Sequence, residues 1–165
     1  MNGKLVAGAI VLPALIAGAG MWYAQDYAYY QPVSLDQGAS TVTLTSIATD
    51  APEEIAADGF EGIDADSSPL RFRSCFRTRL SLALLTETYQ TYDNATPLNA
   101  PGWFGCFDAG RIGADLERGE AVAFLSQRAV RPGVDRVVAI YPDGRAYAWN
   151  QLEEGADARP LVEEK

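Results

Sequence analysis

Apolar and polar positions divide the chain into three stretches. Leu5–Tyr23 reads LVAGAIVLPALIAGAGMWY, nineteen residues without a charge, directly after Lys4. As a helix rising about 1.5 Å per residue it reaches roughly 29 Å, close to the roughly 30 Å hydrocarbon core of a bilayer. The middle of the chain is mixed, beginning with Pro32, which ends the helix or its extension. Ser40–Ala48 alternates, with Val42, Leu44 and Ser46 on one face, and predicts a strand. Asp50–Pro69 is rich in acids, glycine and proline and predicts a loop with one helical turn at Pro52–Ala57. Leu70–Phe76 predicts a second strand. Leu82, Leu85, Tyr89 and Tyr92 recur at helical spacing and predict a helix over Arg79–Tyr92, followed by a loop over Asn94–Gly105. Asp108 is an N-cap for a short helix in which Ala109, Ile112 and Leu116 share a face and Gly119 is the stop, although Gly110 and Gly113 weaken it.

The last third has the clearest pattern. Ala121–Ala129, Val134–Tyr141 and Arg145–Leu152 are apolar-rich runs joined by short turns, Arg131-Pro132-Gly133 of type II and Pro142-Asp143-Gly144 as a hairpin. They predict an antiparallel meander with apolar residues on both faces. With the two helices laid on one face of that sheet, the fold class is α+β. The organisation is then an N-terminal membrane segment (1–30), an α+β domain (31–152) and an acidic, frayed tail (153–165).

The leading segment has two readings. As a cleaved signal peptide it offers Lys4, an apolar run and Ala17-Gly18-Ala19 as the cleavage site. As a retained anchor it offers spanning length and the aromatic residues Trp22, Tyr23, Tyr27, Tyr29 and Tyr30, an interfacial belt at headgroup level. Cleavage after Ala19 would leave those rings at the terminus of a soluble protein, so the anchor is the preferred reading. Lys4 and the terminal amine on the short side favour an N-in, single-pass orientation in a bacterial inner membrane, with the domain in the periplasm. Within the span Gly3, Ala7, Ala14 and Gly18 fall on one helical face, a stripe suited to packing against another membrane helix. Pro13 marks a candidate bend that neighbouring helices tolerate in a membrane.

Charge and two absences narrow the function. The net charge is −9, Lys4 is the only basic residue before Arg71, and acids begin at Asp26. Nucleic acid is a poor partner for such a chain, because that affinity comes from cations neutralising phosphates. There is no histidine in 165 residues, which excludes serine–histidine and cysteine–histidine nucleophiles and histidine-held zinc or haem within this chain. Lysine occurs only at Lys4 and Lys165, so an internal Schiff-base or serine–lysine site is excluded too. No cofactor or metal is expected.

Cys75 and Cys106 are the only cysteines, and in an exported domain they should pair. Closing that loop is worth about 3.5–4 kcal/mol in the chain-entropy treatment. The alternative is a redox-active thiol, prompted by Arg71, Arg73, Arg77 and Arg79 around Cys75, since positive charge lowers a thiol pKa. The thirty residues between the cysteines are not the C-x-x-C spacing of thioredoxin-like proteins. The arginines themselves read first as partners of the acids in Glu53–Asp66, and second as an anion or lipid-headgroup site formed by Arg71, Arg73 and Arg77. Asp64-Ala-Asp66-Ser-Ser68 resembles the opening of a calcium loop, but Pro69 stands where that loop needs glycine and Cys75 where it needs glutamate. Paired carboxylates of the glycosidase kind arise by chance in an acidic chain and carry little.

Three segments, GIDADSSPLR (62–71), PGWFGCFD (101–108) and DRVVA with PDGRAYAW (135–139 and 142–149), resemble an uncharacterised bacterial family of short single-span proteins. The resemblance covers nearly the whole chain and implies a domain of unknown function, with no catalytic residues to carry over. Relatives of this kind are sometimes labelled histidine kinases, a label contradicted by the missing histidine. Residues and resemblance together lead to the expectation of a non-catalytic accessory or assembly subunit of an inner-membrane complex, in contact with the bilayer and with integral membrane proteins. A periplasmic anion sensor and a thiol-redox protein are the alternatives.

Overall fold

The computed structural model describes residues 2–35 and 42–153. The chain divides into two compact units, Met1–Tyr30 and Gln31–Lys165. The first holds one helix, α1 (Gly3–Tyr23), unbroken through Pro13 and continued by a π-helical turn, Ala24–Ala28. None of its residues is buried, as its apolar composition on every side requires if lipid is to be its solvent.

The second unit is α+β. Its strands are β1 (Gln31–Val33), β2 (Thr43–Thr45), β3 (Pro52–Glu54), β4 (Asp58–Asp64), β5 (Arg73–Arg77), β6 (Val122–Arg131), β7 (Val134–Ile140) and β8 (Arg145–Leu152). Six of them form one antiparallel sheet in the order β1-β4-β5-β8-β7-β6, and β2 pairs with β3 separately. The expected meander is present as β6-β7-β8. Gly133 at φ +70° supplies its first turn, and Gly144 at φ +83° its second. A side chain at Gly144 would also collide with the carbonyl of Thr78, whose amide bonds the Gly144 carbonyl at 2.9 Å.

Three expectations from the pattern need correction. The stretch 50–69 is not a loop with a helical turn: Pro52–Glu54 is a strand and Asp58–Asp64 is the neighbour of β5. The helix expected over Arg79–Tyr92 is only α2, Leu82–Thr88, capped by the Ser81 hydroxyl, which accepts from the Leu84 amide. Tyr89 already has extended backbone and bridges to Ser46, and Thr91 bridges to Phe124. Helical spacing of Tyr89 and Tyr92 lost to the β preference of aromatic and β-branched residues once a strand edge was within reach. The third correction concerns layers. The second helix, α3 (Ala109–Glu117), lies on the opposite side of the sheet from α2.

The register explains why both faces are covered. Directly opposed residues share a face in an antiparallel sheet. Ser74, Ala148, Val138 and Phe124 form one row, and Phe76, Ala146, Ile140 and Val122 the next. Onto these rows pack Leu85 of α2, with Val42, Leu44 and Ile55 from around the β2–β3 pair. The other face presents Cys75, Tyr147, Ala139 and Ala123 in one row and Arg73, Trp149, Val137 and Leu125 in the next. It is covered by the segment from Tyr92 to Asp108 and by α3. The acidic tail, apart from Glu153, lies outside the described residues, as do Ser40 and Thr41 of the first expected strand.

Candidate functional site

In the first unit, the helical part from Gly3 to Ala28 has a mean hydropathy of 2.0 over its most apolar window and none of that window is buried. It is long and apolar enough to cross a membrane. Gly3, Ala7, Ala14 and Gly18 lie along one exposed side of α1. Of the aromatic residues, Tyr27 stacks on Tyr23 and meets Trp22 edge to face, each with centroids 5.7 Å apart. Tyr29 is exposed and Tyr30 half-buried.

In the second unit the chemistry-bearing side chains concentrate on the face closed by irregular chain. Cys75 of β5 is joined to Cys106, with 6.3 Å between their Cα atoms. Beside it Phe107 meets Tyr147 and Trp149 edge to face. Arg73 is 3 % exposed, and its guanidinium donates to the carbonyls of Leu70 (2.7 Å), Phe72 (2.5 Å), Leu98 (2.7 Å) and Asn99 (3.2 Å). A rigid planar fork is suited to gathering several carbonyls of a chain with no ladder of its own. Further along, Gln151 accepts from the Thr96 amide (2.8 Å) and from the Trp149 indole (3.0 Å), and donates to the Asn94 carbonyl (3.3 Å). The Tyr92 hydroxyl donates to Asp135, and burial together with that carboxylate pushes its pKa up to about 12.

The three arginines singled out for anion binding do not come together. Arg71 lies half-buried in the turn before β5, Arg73 is the buried carbonyl clamp, and Arg77 is exposed at the strand's far end. Four residues along a strand separate Arg73 from Arg77 by about 13 Å. Arg73, Cys75 and Arg77 do share a strand face, and there Arg73 meets four backbone carbonyls and the Phe107 ring, 5.8 Å from its centroid. Arg79, the fourth member of the row, pairs with Asp58 at 2.8 Å. Asp64, first of the calcium-loop residues, ends β4 opposite Gln31. Among the described residues no three of histidine, cysteine, aspartate and glutamate form a group able to hold a metal.

Two features of α3 were not anticipated. Asp115, 5 % exposed, accepts from the Tyr141 hydroxyl at 2.6 Å and is also bonded by Arg118. Burial, then that hydrogen bond, raises the Tyr141 pKa well above the usual phenol range. The second is a groove of about 740 Å³ lined by α3, the segment Thr91–Pro97 and Ala121–Ala123. Gly110, Gly113 and Ala114 form its helical wall. Each glycine costs a helix interior about 1 kcal/mol relative to alanine. Neither is needed by the fold: a Cβ at Gly110 would lie 3.6 Å from Asp108 and one at Gly113 3.8 Å from Pro97, ordinary contacts, and neither has positive φ. The sequence signal was there, as two glycines inside a helical period, but it counted only against the helix.

A model of a protein family of unknown function, DUF6446, matches residues 42–159, and the chain belongs to that family. No curated protein and no solved structure matches it.

Proposed function

We propose that this member of DUF6446 is a single-span accessory or assembly subunit of a larger bacterial inner-membrane complex, without a reaction of its own. Its domain stands on the periplasmic side. The observation that carries the reading is α1 with its continuation: a helix of spanning length with no charge between Lys4 and Asp26 and no buried residue, in a chain whose second unit has its irregular face held by a disulfide. The disulfide favours an oxidising compartment, and Lys4 on the short side favours that orientation. The side of α1 bearing Gly3, Ala7, Ala14 and Gly18 lets a neighbouring helix approach closely. The test is extraction of the full-length native protein in mild detergent, affinity capture, and intact mass of everything eluted. Recovery of the uncleaved chain with defined integral membrane proteins supports the proposal. A chain beginning near Gly20, alone and soluble, overturns it.

A further inference from the structure

We infer that the groove between α3 and the Thr91–Pro97 segment receives an extended, positively charged peptide segment of a partner protein. This rests on the reading of the chain as an interaction subunit and identifies the surface that does the work.

The helical wall of the groove is built mainly from small residues, with Leu116 and Glu117 towards the end of α3. Gly110, Gly113, Ala114 and Glu117 recur at the i, i+3, i+4 and i+7 positions of α3, one face of the helix, and that face lines the groove. Two glycines there weaken the helix, and no contact inside the domain requires them, since added Cβ atoms would meet neighbours only at ordinary distances. What they do is keep side chains out of a concavity of about 740 Å³, a size in the range of specific binding clefts. The opposite wall is an extended run of chain, already tied to the sheet by the Tyr92 amide on the Ala123 carbonyl (2.9 Å) and the Thr96 amide on Gln151 (2.8 Å). The groove is therefore preformed, which lowers the ordering cost of an occupant.

Charge selects among occupants. The charged residues lining the groove are Asp93 and Glu117, both acidic and exposed, and neither side chain forms an ion pair among the described residues. Of the neighbouring cations, Arg118 is held by Asp115 and Glu120, and Arg128, which acts on Tyr92, donates to the Gln90 side chain and is not itself in the lining. The chain as a whole carries −9, so the long-range field has the same sign as the rim. That disfavours nucleic acid, an anionic lipid headgroup and a second copy of this chain. It suits a segment with small or apolar residues on the alanine–glycine wall and lysine or arginine reaching Asp93 and Glu117.

The test is selection of random linear peptides on the full-length protein in nanodiscs, then affinity measurement of the enriched peptides against variants. The expected result is net-positive sequences whose affinity falls as salt rises. Asp93→Lys with Glu117→Lys should weaken them about ten-fold or more, and Gly113→Leu, which fills the groove, should do the same. The charge variants alter only exposed positions and should melt with the wild type, so they decide the matter if Gly113→Leu misfolds. Enriched peptides that are neutral or acidic, or affinities indifferent to both the charge pair and the filled groove, would overturn the proposal. So would the absence of any enriched peptide, or self-association that fills the groove. Co-purification of membrane partners, scored on the same variants, separates the two claims. Partners retained without peptide binding sink the groove alone, whereas peptide binding by a chain that purifies alone sinks the accessory-subunit reading.

Discussion

The two faces of the six-stranded sheet are closed in different ways. One is covered by the β2–β3 pair and α2, regular elements that satisfy their own backbone and contribute Leu44 and Leu85, with Ile55 just past β3, to an apolar layer. The other is covered largely by irregular chain from Tyr92 to Asp108. Such chain brings unpaired backbone groups to a buried surface, and each needs a partner. The partners are supplied one at a time: Arg73 for Leu98 and Asn99, Gln151 for Asn94 and Thr96, and a covalent bond at Cys106. Dispersion and burial hold the first face. The second also buries Trp149, Val137 and Leu125, but adds directional bonds and a cross-link to hold its irregular cover.

The largest effect that sharpens this contrast comes from the cross-link. Cys75→Ser with Cys106→Ser should lower stability by about 3.5–4 kcal/mol through the larger unfolded ensemble, read as a shift of the urea midpoint. It should also speed proteolysis between residues 98 and 107 while α2 stays protected. Leu85→Ala, on the other face, removes a side chain with no exposed surface and should cost about 3 kcal/mol. Hydrogen exchange should then rise across α2 and β2 and leave the Arg73-held segment unchanged. Equal loosening of both faces by either variant would show that the sheet does not separate them.

Arg73→Met keeps the aliphatic bulk but removes the donors to four carbonyls, at a cost of about 2.5 kcal/mol. Its signature is local, the opening of residues 98–99. Ser74→Ala has the opposite sign. Ser74 is fully buried in the apolar layer and its Oγ has no hydrogen-bond partner. Deleting an unsatisfied hydroxyl should raise stability by about 1 kcal/mol. A loss on thermal melting would show that the hydroxyl is bonded in solution.

The same contrast decides what could be read from the chain beforehand. The meander was readable because three apolar runs are punctuated by two turns of recognisable local chemistry, Pro-Gly and Asp-Gly. The cap of α3 was readable too, with Asp108 accepting from the Arg111 amide and Gly119 at φ +71°. β4 was not: DGFEGID carries two glycines and three acids, one glycine sits at φ +62°, and a bulge between Asp58 and Glu61 interrupts any alternation. The role of Arg73 within the arginine row was hidden for a different reason. Two-residue spacing correctly places Arg73, Cys75 and Arg77 on one strand face, but it carries no information about the distant segment that lands there. A charge bonded to carbonyls from 25 residues away is invisible to any local pattern. The groove escaped because its lining is assembled from α3 and from a segment wrongly assigned in part to a helix.

The smallest effect concerns the end of the apolar face, where that layer gives way to charge. Asp64 closes β4 and its carboxyl accepts from the Ala65 amide at 2.8 Å. On the same face Arg136 lies over the Phe72 ring, 3.7 Å from its centroid, and donates to Asn150. Burial raises the Asp64 pKa, and the Ala65 hydrogen bond and the Arg136 charge only partly oppose it. The folded protein therefore binds the Asp64 proton more tightly than the unfolded chain does. Its favourable contribution is complete below the unfolded value of about 3.9 and is lost as pH rises through the higher folded value. Asp64→Asn keeps an acceptor for the Ala65 amide and removes the ionisation. Midpoints measured from acid to neutral pH should then lose a shallow decline just above the ordinary aspartate range, and neutral stability should rise slightly. An unchanged slope would place Asp64 in better contact with water than its strand-end position implies. A stability that falls at neutral pH would mean that the carboxylate's attraction to Arg136 outweighs its burial, and that this end of the apolar face, like the opposite face, is held by a directional polar contact.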